Sequence, residues 1–304
     1  MKLKVEQKEL VCNLKYIRAC DYVHSYTDWI NHGVAMKPFK DNSIFDKIKK
    51  DQRKSVSVYV KTGYDLIEFF NRIKDIDKKI VLITGSSDYS ITKKVYKFKT
   101  DNVVKWYAEN VEYEIDNLIP IPAGSLSATW IGNSKESSEI YNHRNFKLIK
   151  TDEKEPEIVN LAFMCFNIHT NATHRREVYN YFDNKSWVTN LSKTKTGKYL
   201  DDHIFAKNVY NHKFVISPYG NGVDCGRTWM TLQLGCIPVL PYNYCFKDWA
   251  KNLPIVLYDD INQVTEEYLL NKLTEIKNKN FNYEFLKISY WKNKFEEDKI
   301  YYSS

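Results

Sequence analysis

The sequence lacks the features of a disulfide-rich or membrane-spanning protein. Its six cysteines include no Cys-x-x-Cys pair, and several lie inside apolar runs, which favours reduced, buried thiols. No apolar run approaches the length of about 20 residues that a transmembrane helix needs. Residues 1–17 contain no apolar core of signal-peptide length. We therefore expect a cytoplasmic protein without a membrane span.

The sequence also lacks a cluster of basic residues. Lys and Arg number 45 against 38 Asp and Glu, a formal net charge of +7, but the lysines are spread along the chain. Nucleic-acid-binding domains usually gather their basic residues on one face or helix. The charge therefore favours an anionic small molecule as ligand, and we expect no nucleic-acid partner.

The chain has enough apolar residues for more than one folded domain. Hydrophobic residues make up 43% of the 304 residues, which is typical of a globular protein. The sequence contains no repeat of fixed length. Single hydrophobic cores usually stop growing before this length. We therefore expect two domains joined by the polar stretch 126–157.

The first half alternates strand-like and helix-like segments. Residues 55–63 alternate like a strand, 64–79 have helical spacing, and 80–92 form a short apolar run that ends in Gly, Ser, Ser and Asp. The segment 103–125 is compatible with either a helix or a strand. Strands that alternate with helices predict a parallel sheet.

The second half repeats this alternation, so the predicted class is α/β with two Rossmann-like parallel-sheet halves. Ligands bind such sheets at the carboxyl ends of the strands, and two facing halves would form a central cleft. The predicted strands are 158–170, "KFVISP", "CIPVLP" and "LPIVLYDD", and the predicted helices begin near 171, 201 and 227 and again in the tail.

A glycine-rich turn and a helix follow one predicted strand in "SPYGNGVDCGRTWMTLQLGCIPVLP" (217–241). The turn begins at Ser217, and positive φ angles at Gly220, Asn221 and Gly222 would bring backbone N–H groups close to a ligand. Arg227 at the helix start is unfavourable for the helix dipole, which a bound diphosphate would explain. Asp224 would then bind a ribose or sugar hydroxyl. The alternative is a packing turn in which Asp224 caps the helix and Arg227 is solvated.

A second strand, loop and helix strengthen the anion-site hypothesis. In "CFNIHTNATHRREVY" the loop carries Thr170 and Asn171, and Arg175 and Arg176 lie at the start of the following helix. Both loops leave parallel strands at their carboxyl ends, so they can converge on one anion.

These motifs resemble the exostosin-like glycosyltransferases, in particular the short bacterial and large-DNA-virus members. The likeness runs through "FNIHTNATHRREVY" and "DDHIFAKNVYNHKFVISPYGNGVDCGRTWMTLQLGCIPVLP" to the helical tail. It extends to "LITGSSDYSIT" and "WYAENVEYEIDNLIPIPAGS" in the first half, and thus covers roughly residues 55–300. The block 213–241 is its most specific part.

The resemblance implies a GT-B fold and a metal-independent, inverting transfer of a hexose or pentose from a nucleotide-sugar to a glycan acceptor. It implies an acceptor-binding domain at 1–145, a nucleotide-sugar-binding domain at 146–285, and a C-terminal helix at 285–304 that packs back on the first. A UDP-sugar, such as UDP-xylose or a UDP-hexose, is the implied donor, and no cofactor is needed. Met230 stands where the family pattern usually has a ribose-binding Glu.

Inverting transfer needs one general base near the acceptor hydroxyl. Asp88, on the loop after a predicted strand of the first half, is our first candidate, followed by Asp28 and His24 and then by Glu109 and Glu112. The Asp pairs 201–202 and 259–260 are typical of caps and loops, so we predict no metal ligands. The alternative function is a sugar- or nucleotide-binding module without turnover.

Overall fold

The computed structural model describes residues 9–28, 37–124, 156–200 and 202–304. These residues form two compact units. The first unit contains the described residues up to 124 together with 284–304, and the second contains those from 156 to 283. The polar stretch 126–157, which we predicted to join two domains, lies almost wholly outside the described residues.

The first unit is built on a five-stranded parallel sheet. The strands of the unit are β1 (Tyr22–Val23), β2 (Ser25–Asp28), β3 (Lys37–Lys40), β4 (Ser55–Lys61), β5 (Lys79–Gly85), β6 (Val103–Ala108) and β7 (Leu118–Pro120), of which five form this sheet. The sheet order is β1-β4-β5-β6-β7, and β2 pairs with β3 as a separate antiparallel ribbon. The central strands β4 and β5 are almost entirely buried, which is why they consist of nearly continuous apolar runs.

Helices cover both faces of this first sheet. They are α1 (Asn13–Ala19), α2 (Ile44–Lys50), α3 (Tyr64–Ile73), α4 (Lys93–Tyr96) and the C-terminal helix (Ile288–Tyr301). Phe70 of α3 packs edge-on against Trp106 of β6. On the other face, the C-terminal helix contributes Trp291 and Phe295 to a buried cluster with Tyr59 of β4.

The second unit contains another five-stranded parallel sheet. Its strands are β8 (Asn160–Met164), β9 (Val188–Asn190), β10 (His212–Ile216), β11 (Ile237–Pro241) and β12 (Val256–Tyr258), in the order β12-β11-β10-β8-β9. The chain therefore places β9 on one side of β8 and β10 on the other. Open α/β sheets bind ligands where the strand order reverses in this way, which here is the carboxyl edge of β8 and β10.

Helices also cover both faces of the second sheet. They are α5 (Ala172–Phe182), α6 (Lys193–Thr196), α7 (Asp202–Tyr210), α8 (Gly226–Gln233), α9 (Tyr244–Lys247), α10 (Trp249–Asn252) and α11 (Glu266–Lys277). Val178 and Phe182 of α5 pack on one face, with Met164 and Ile216 of the strands. Ala206 of α7 belongs to the buried cluster on the other face.

The structure confirms the predicted α/β class with two parallel sheets. The segment 103–125, for which helix and strand were both open, contains the strands β6 and β7. The strands β1 to β3 were not predicted, because the polar, aromatic sequence "DYVHSYTD" has no clear apolar period. The six cysteines are all free thiols, and no described helix is long and apolar enough to cross a membrane.

Candidate functional site

Two loops meet at the carboxyl edge of β8 and β10. The strands are parallel neighbours, and Met164 pairs with Ile216, so both strands end at the same level. After β8 the chain passes through the short helix Ile168–Asn171 into α5, and after β10 it passes through residues 217–225 into α8. The amino termini of α5 and α8 thus follow the same edge of the sheet. The first N–H groups of a helix lack intrahelical acceptors and favour negative charge.

Arg175 of α5 ties the two loops together. Its side chain lies almost entirely inside the protein, with 5% of its surface exposed. Nε donates to the carbonyl of Tyr219 at 2.6 Å, and Nη1 donates to the carbonyl of Asn167 at 2.9 Å. Asn167 lies on the loop after β8 and Tyr219 on the loop after β10, so one guanidinium group bridges both loops. Neither of these two bonds uses Nη2. A Cβ added at Gly220 would lie 3.5 Å from Nη2, so this nitrogen lies beside the glycine turn.

Arg227 brings a second guanidinium group to the same place. Its Cζ lies 5.7 Å from the ring centroid of Phe166, the same distance as the Cζ of Arg175. Nη1 reaches only the Sγ of Cys225, at 4.0 Å. Nε is shielded from solvent and has no hydrogen-bond acceptor among the described residues. Both guanidinium groups therefore lie near the ring of Phe166. The buried Nε–H of Arg227 has no acceptor among the described residues.

The electrostatics of this site favour an anion. Burial, and then the positive charge of Arg227, lower the pKa of Arg175 to about 10. A charge interaction with Cys225 acts in the opposite direction, and no carboxylate of the described residues contributes. Arginine side chains stay protonated in proteins at neutral pH, so the site carries two positive charges. Two close cations without a carboxylate between them can be stabilised by a doubly charged ligand such as a diphosphate.

The glycine turn is formed differently from our prediction. The described residues with positive φ include neither Gly220 nor Gly222, so the predicted left-handed backbone at this turn is wrong. The turn is closed by the N–H of Gly220, which donates to the carbonyl of Gly222 at 3.0 Å. Asn171 Nδ2 donates to the carbonyl of Gly220 at 2.9 Å. Gly220 lies beside Arg175, and Asn221 is exposed at the tip of the turn.

The structure separates the paired candidates on α5. Arg175 faces the loops, whereas Arg176 is exposed on the outer side of the helix. Thr170 is half-buried in the short helix that precedes α5. Asn171 occupies the N-cap position of α5, but its side chain bonds the glycine turn and makes no capping hydrogen bond. The structure therefore brings Arg175 and Asn171 to the turn and leaves Arg176 outside the site.

Two further candidates in the loop after β10 are engaged in packing. The hydroxyl of Ser217 is buried and hydrogen-bonded to the hydroxyl of Thr228 at 2.9 Å. Asp224 is buried, and its Oδ1 accepts a hydrogen bond from the indole N–H of Trp229 at 2.6 Å. Asp224 does not cap α8, since the N-cap residue is Cys225. Met230 packs against the apolar cluster around Phe163 and Leu234, which accounts for an apolar side chain at this position.

The candidate bases lie in the first unit. Asp88 is exposed on the loop that follows β5. Asp28 is the last residue of β2, where its backbone is paired with Lys37. His24 is fully buried against Phe45, and burial lowers its pKa. Because a buried histidine has no access to an acceptor hydroxyl, His24 is a packing residue and not a base.

The two third-choice bases also differ in exposure. Glu109 is buried beside Gly85, whose missing side chain makes room for the carboxylate. Glu112 is half-buried on the loop after β6. Among the candidate carboxylates whose side chains the structure describes, Asp88 is therefore the most exposed.

Sequence reasoning missed several residues that shape the anion site. Phe166 and Asn167 lie just after the end of β8 and are not among the predicted site residues. Tyr219 stacks on the half-buried His174, with ring centroids 4.9 Å apart. The alternation of polar and aromatic residues in "CFNIH" and "SPYGNG" was the available signal. Within the described ranges, no cluster of three or more His, Cys, Asp or Glu side chains could hold a metal ion.

Comparison with known proteins yields matches only among solved structures. No family model matches the chain, and no curated protein matches its sequence. One similar structure is that of an alpha1,3-fucosyltransferase, with 12% identity, a TM-score of 0.38, and coverage of 83% of this chain and 92% of the other. A second, of alpha1,3-fucosyltransferase with GDP-fucose, has 13% identity, a TM-score of 0.41 and the same coverage.

Proposed function

We propose that this protein is a glycosyltransferase that moves a sugar from a nucleoside diphosphate to a hydroxyl group of a glycan. The observation that carries the proposal is the pair of guanidinium groups, those of Arg175 and Arg227, near the ring of Phe166. The buried Nε of Arg227 has no acceptor among the described residues. A diphosphate supplies negative charge for this pair and an acceptor for the Nε of Arg227. The resemblance of the 213–241 block to exostosin-like transferases agrees with this assignment.

The two arginines would perform different tasks. Arg175 uses Nε and Nη1 to hold the loops, so it contributes a fixed charge and its Nη2 beside Gly220. Arg227 has the freer guanidinium group and would donate directly to the phosphate oxygens. The amino termini of α5 and α8 add favourable potential at the same edge. Such fixed positive groups stabilise the charge that develops on a departing diphosphate.

Asp88 is the proposed general base. Its carboxylate would accept the proton of the acceptor hydroxyl while the acceptor oxygen bonds to the anomeric carbon. The bond from that carbon to the diphosphate oxygen breaks in the same step, and the nucleoside diphosphate leaves with the electron pair. Attack on the face opposite the leaving group inverts the anomeric configuration.

A second candidate function is a module that binds nucleotide-sugars without turnover. The observation in its favour is Met230, which packs in the apolar cluster and cannot bind a ribose hydroxyl as the Glu of the family pattern does. Asp224, the alternative ribose ligand, already accepts a hydrogen bond from Trp229. Both functions predict nucleotide binding, so turnover has to distinguish them.

Sugar release from the donor to water tests the proposal without knowledge of the acceptor. We expect the wild-type chain to hydrolyse at least one donor in a panel of UDP-sugars and GDP-sugars, GDP-fucose included, slowly but measurably. Asp88→Ala should reduce the rate by about 100-fold or more, the usual contribution of a general base, with nucleotide affinity unchanged. Asp101→Ala, at an exposed acid before β6, is the matched control and should keep the wild-type rate.

The alternatives predict different results in the same assay. Binding of a nucleotide-sugar without hydrolysis of any donor would favour the non-catalytic module. Hydrolysis that is equally fast in Asp88→Ala and in the wild type would remove Asp88 from the mechanism.

A further inference from the structure

Three neighbouring segments of the first unit, each shortly after a strand, expose a tyrosine. Tyr64 follows β4, Tyr89 follows β5 and Tyr113 follows β6, with exposed fractions of 89%, 64% and 42%. Large aromatic side chains are usually buried in folded proteins, and a group of exposed ones at one place marks an interaction site.

The sheet brings these three tyrosines to the same edge. The strands β4, β5 and β6 are parallel neighbours, and in register Lys61 pairs with Gly85 and Thr84 with Ala108. All three strands therefore end at one level, and the loops begin side by side.

Two contacts connect the segments that carry these tyrosines. A Cβ added at Gly63, which precedes Tyr64, would lie 3.4 Å from the ring of Tyr89. Gly63 has a φ of +131°, which favours glycine and leaves room for that ring. The ammonium group of Lys93 lies 5.3 Å from the ring centroid of Tyr113, so the segment after β5 also contacts the third tyrosine. We name Tyr64, Tyr89 and Tyr113 the tyrosine edge.

The polar groups around the tyrosine edge suit a neutral, hydroxyl-rich ligand. The segment 86–92, "SSDYSIT", carries hydroxyl groups and Asp88, and the segment after β6 carries Glu112 and Glu114. Lys93 and Lys94 follow the first of these segments, so acidic and basic groups nearly balance and give no excess of positive charge for a polyanion such as a nucleic acid. The carboxylates accept hydrogen bonds from hydroxyl groups. The C–H face of a pyranose ring, in turn, matches the negative face of an aromatic ring.

We propose that the tyrosine edge is a stacking platform for the sugar rings of a neutral oligosaccharide. This inference names the acceptor class of the proposed transferase and so depends on that function for its biological meaning. Asp88 precedes Tyr89 in the chain, so an oligosaccharide stacked on Tyr89 has its hydroxyl groups beside the proposed base. The tyrosine edge therefore serves to select and orient the acceptor.

Binding of oligosaccharides in the absence of any donor tests the inference independently of turnover. The full chain is applied to an array of neutral oligosaccharides of defined structure, and the best ligand is then titrated in solution. We expect Tyr64→Ala and Tyr89→Ala each to weaken binding by about tenfold, the scale of losing one stacked ring. Tyr89→Phe, which keeps the ring, should bind like the wild type. Tyr301→Ala removes a tyrosine that is 71% exposed on the C-terminal helix and should also have no effect.

Three outcomes would overturn the inference. The first is the absence of binding to any neutral oligosaccharide, and the second is equal affinity of the wild type, Tyr64→Ala and Tyr89→Ala. The third is binding of polyuridylic acid that is lost in the same two variants, which would identify the tyrosine edge as a single-stranded nucleic-acid surface. Because nucleotide-sugar hydrolysis is measured separately, failure of the proposed function leaves these results interpretable.

Discussion

At the scale of single residues, the anion site depends on how two arginines divide their hydrogen bonds. Arg175 spends two donors on backbone carbonyls of both loops, and Arg227 keeps a buried Nε without an acceptor among the described residues. The sequence predicted an anion-binding arginine near the start of each of the two helices. It could not choose between Arg175 and Arg176, because one residue along a helix turns a side chain by about 100°. The choice depends on where α5 begins and on its packing through Val178 and Phe182.

Gly85 gives a residue-scale prediction in the first unit. A Cβ at this position would lie 2.5 Å from Cδ of the buried Glu109. Gly85→Ala should therefore lower the free energy of unfolding by about 1 to 3 kcal/mol, the usual cost of overpacking, as measured by urea denaturation.

A double-mutant cycle separates this contact from a general effect of alanine. In the Glu109→Ala background the clash is gone, so Gly85→Ala should cost clearly less than in the wild type. Gly220→Ala is a control, because its Cβ would lie at an ordinary contact distance of 3.5 Å from the nearest atom. Equal costs of Gly85→Ala in both backgrounds would disprove the contact as the cause.

At the scale of elements, the C-terminal helix is anchored by an ion pair between residues distant in sequence. Lys299 Nζ donates to Asp21 Oδ2 at 3.0 Å, and the same carboxylate accepts from the backbone N–H of Ser57 at 2.8 Å and from Arg53. Both members of the Lys299–Asp21 pair are largely buried. The helical period of the tail predicted the helix. Its partner could not be predicted, since 278 residues separate the pair and no local pattern records it.

The pair predicts a stability that depends on pH. Burial alone would raise the pKa of Asp21, but hydrogen bonds from Ser57, Lys299 and Arg53 lower it below its ordinary value of 3.8. A carboxylate with a lowered pKa stabilises the folded state above its unfolded-state pKa, and this contribution is lost as the pH falls through the folded-state pKa. Asp21→Asn should therefore cost about 2 to 3 kcal/mol at pH 7, the scale of lost hydrogen bonds to a charged group.

Denaturation at several pH values measures this difference. The gap in unfolding free energy between the wild type and Asp21→Asn should close as the pH falls below about 4. Glu297→Ala removes an exposed pair with Lys294 on the same helix and should change stability by less than about 1 kcal/mol at every pH. A gap that stays constant down to pH 2 would show that the charge of Asp21 is not what holds the helix.

At the scale of the whole molecule, each unit has its own parallel sheet, and the candidate site residues are divided between the two units. The alternation of apolar runs and helical periods predicted both sheets, because parallel strands buried on two faces have few polar residues. The reversal of strand order between β8 and β10 could not be predicted, since strand order depends on contacts between distant segments. That reversal is what brings the loops of Arg175 and Arg227 together. The candidate base and the tyrosine edge belong to the first unit, so binding of donor and acceptor can be tested separately.

Calorimetric titration with a nucleoside diphosphate is the most direct measurement of the central claim. UDP and GDP are titrated into the wild type, Arg227→Ala and, as a matched control, Arg176→Ala, whose side chain is exposed outside the site. We predict that one of the two nucleotides binds the wild type and Arg176→Ala equally. Arg227→Ala should bind it about 30-fold more weakly or worse, since truncating one partner of a desolvated charge pair costs about 2 kcal/mol or more. Unchanged affinity in Arg227→Ala, or no binding of either nucleotide to the wild type, would contradict the account.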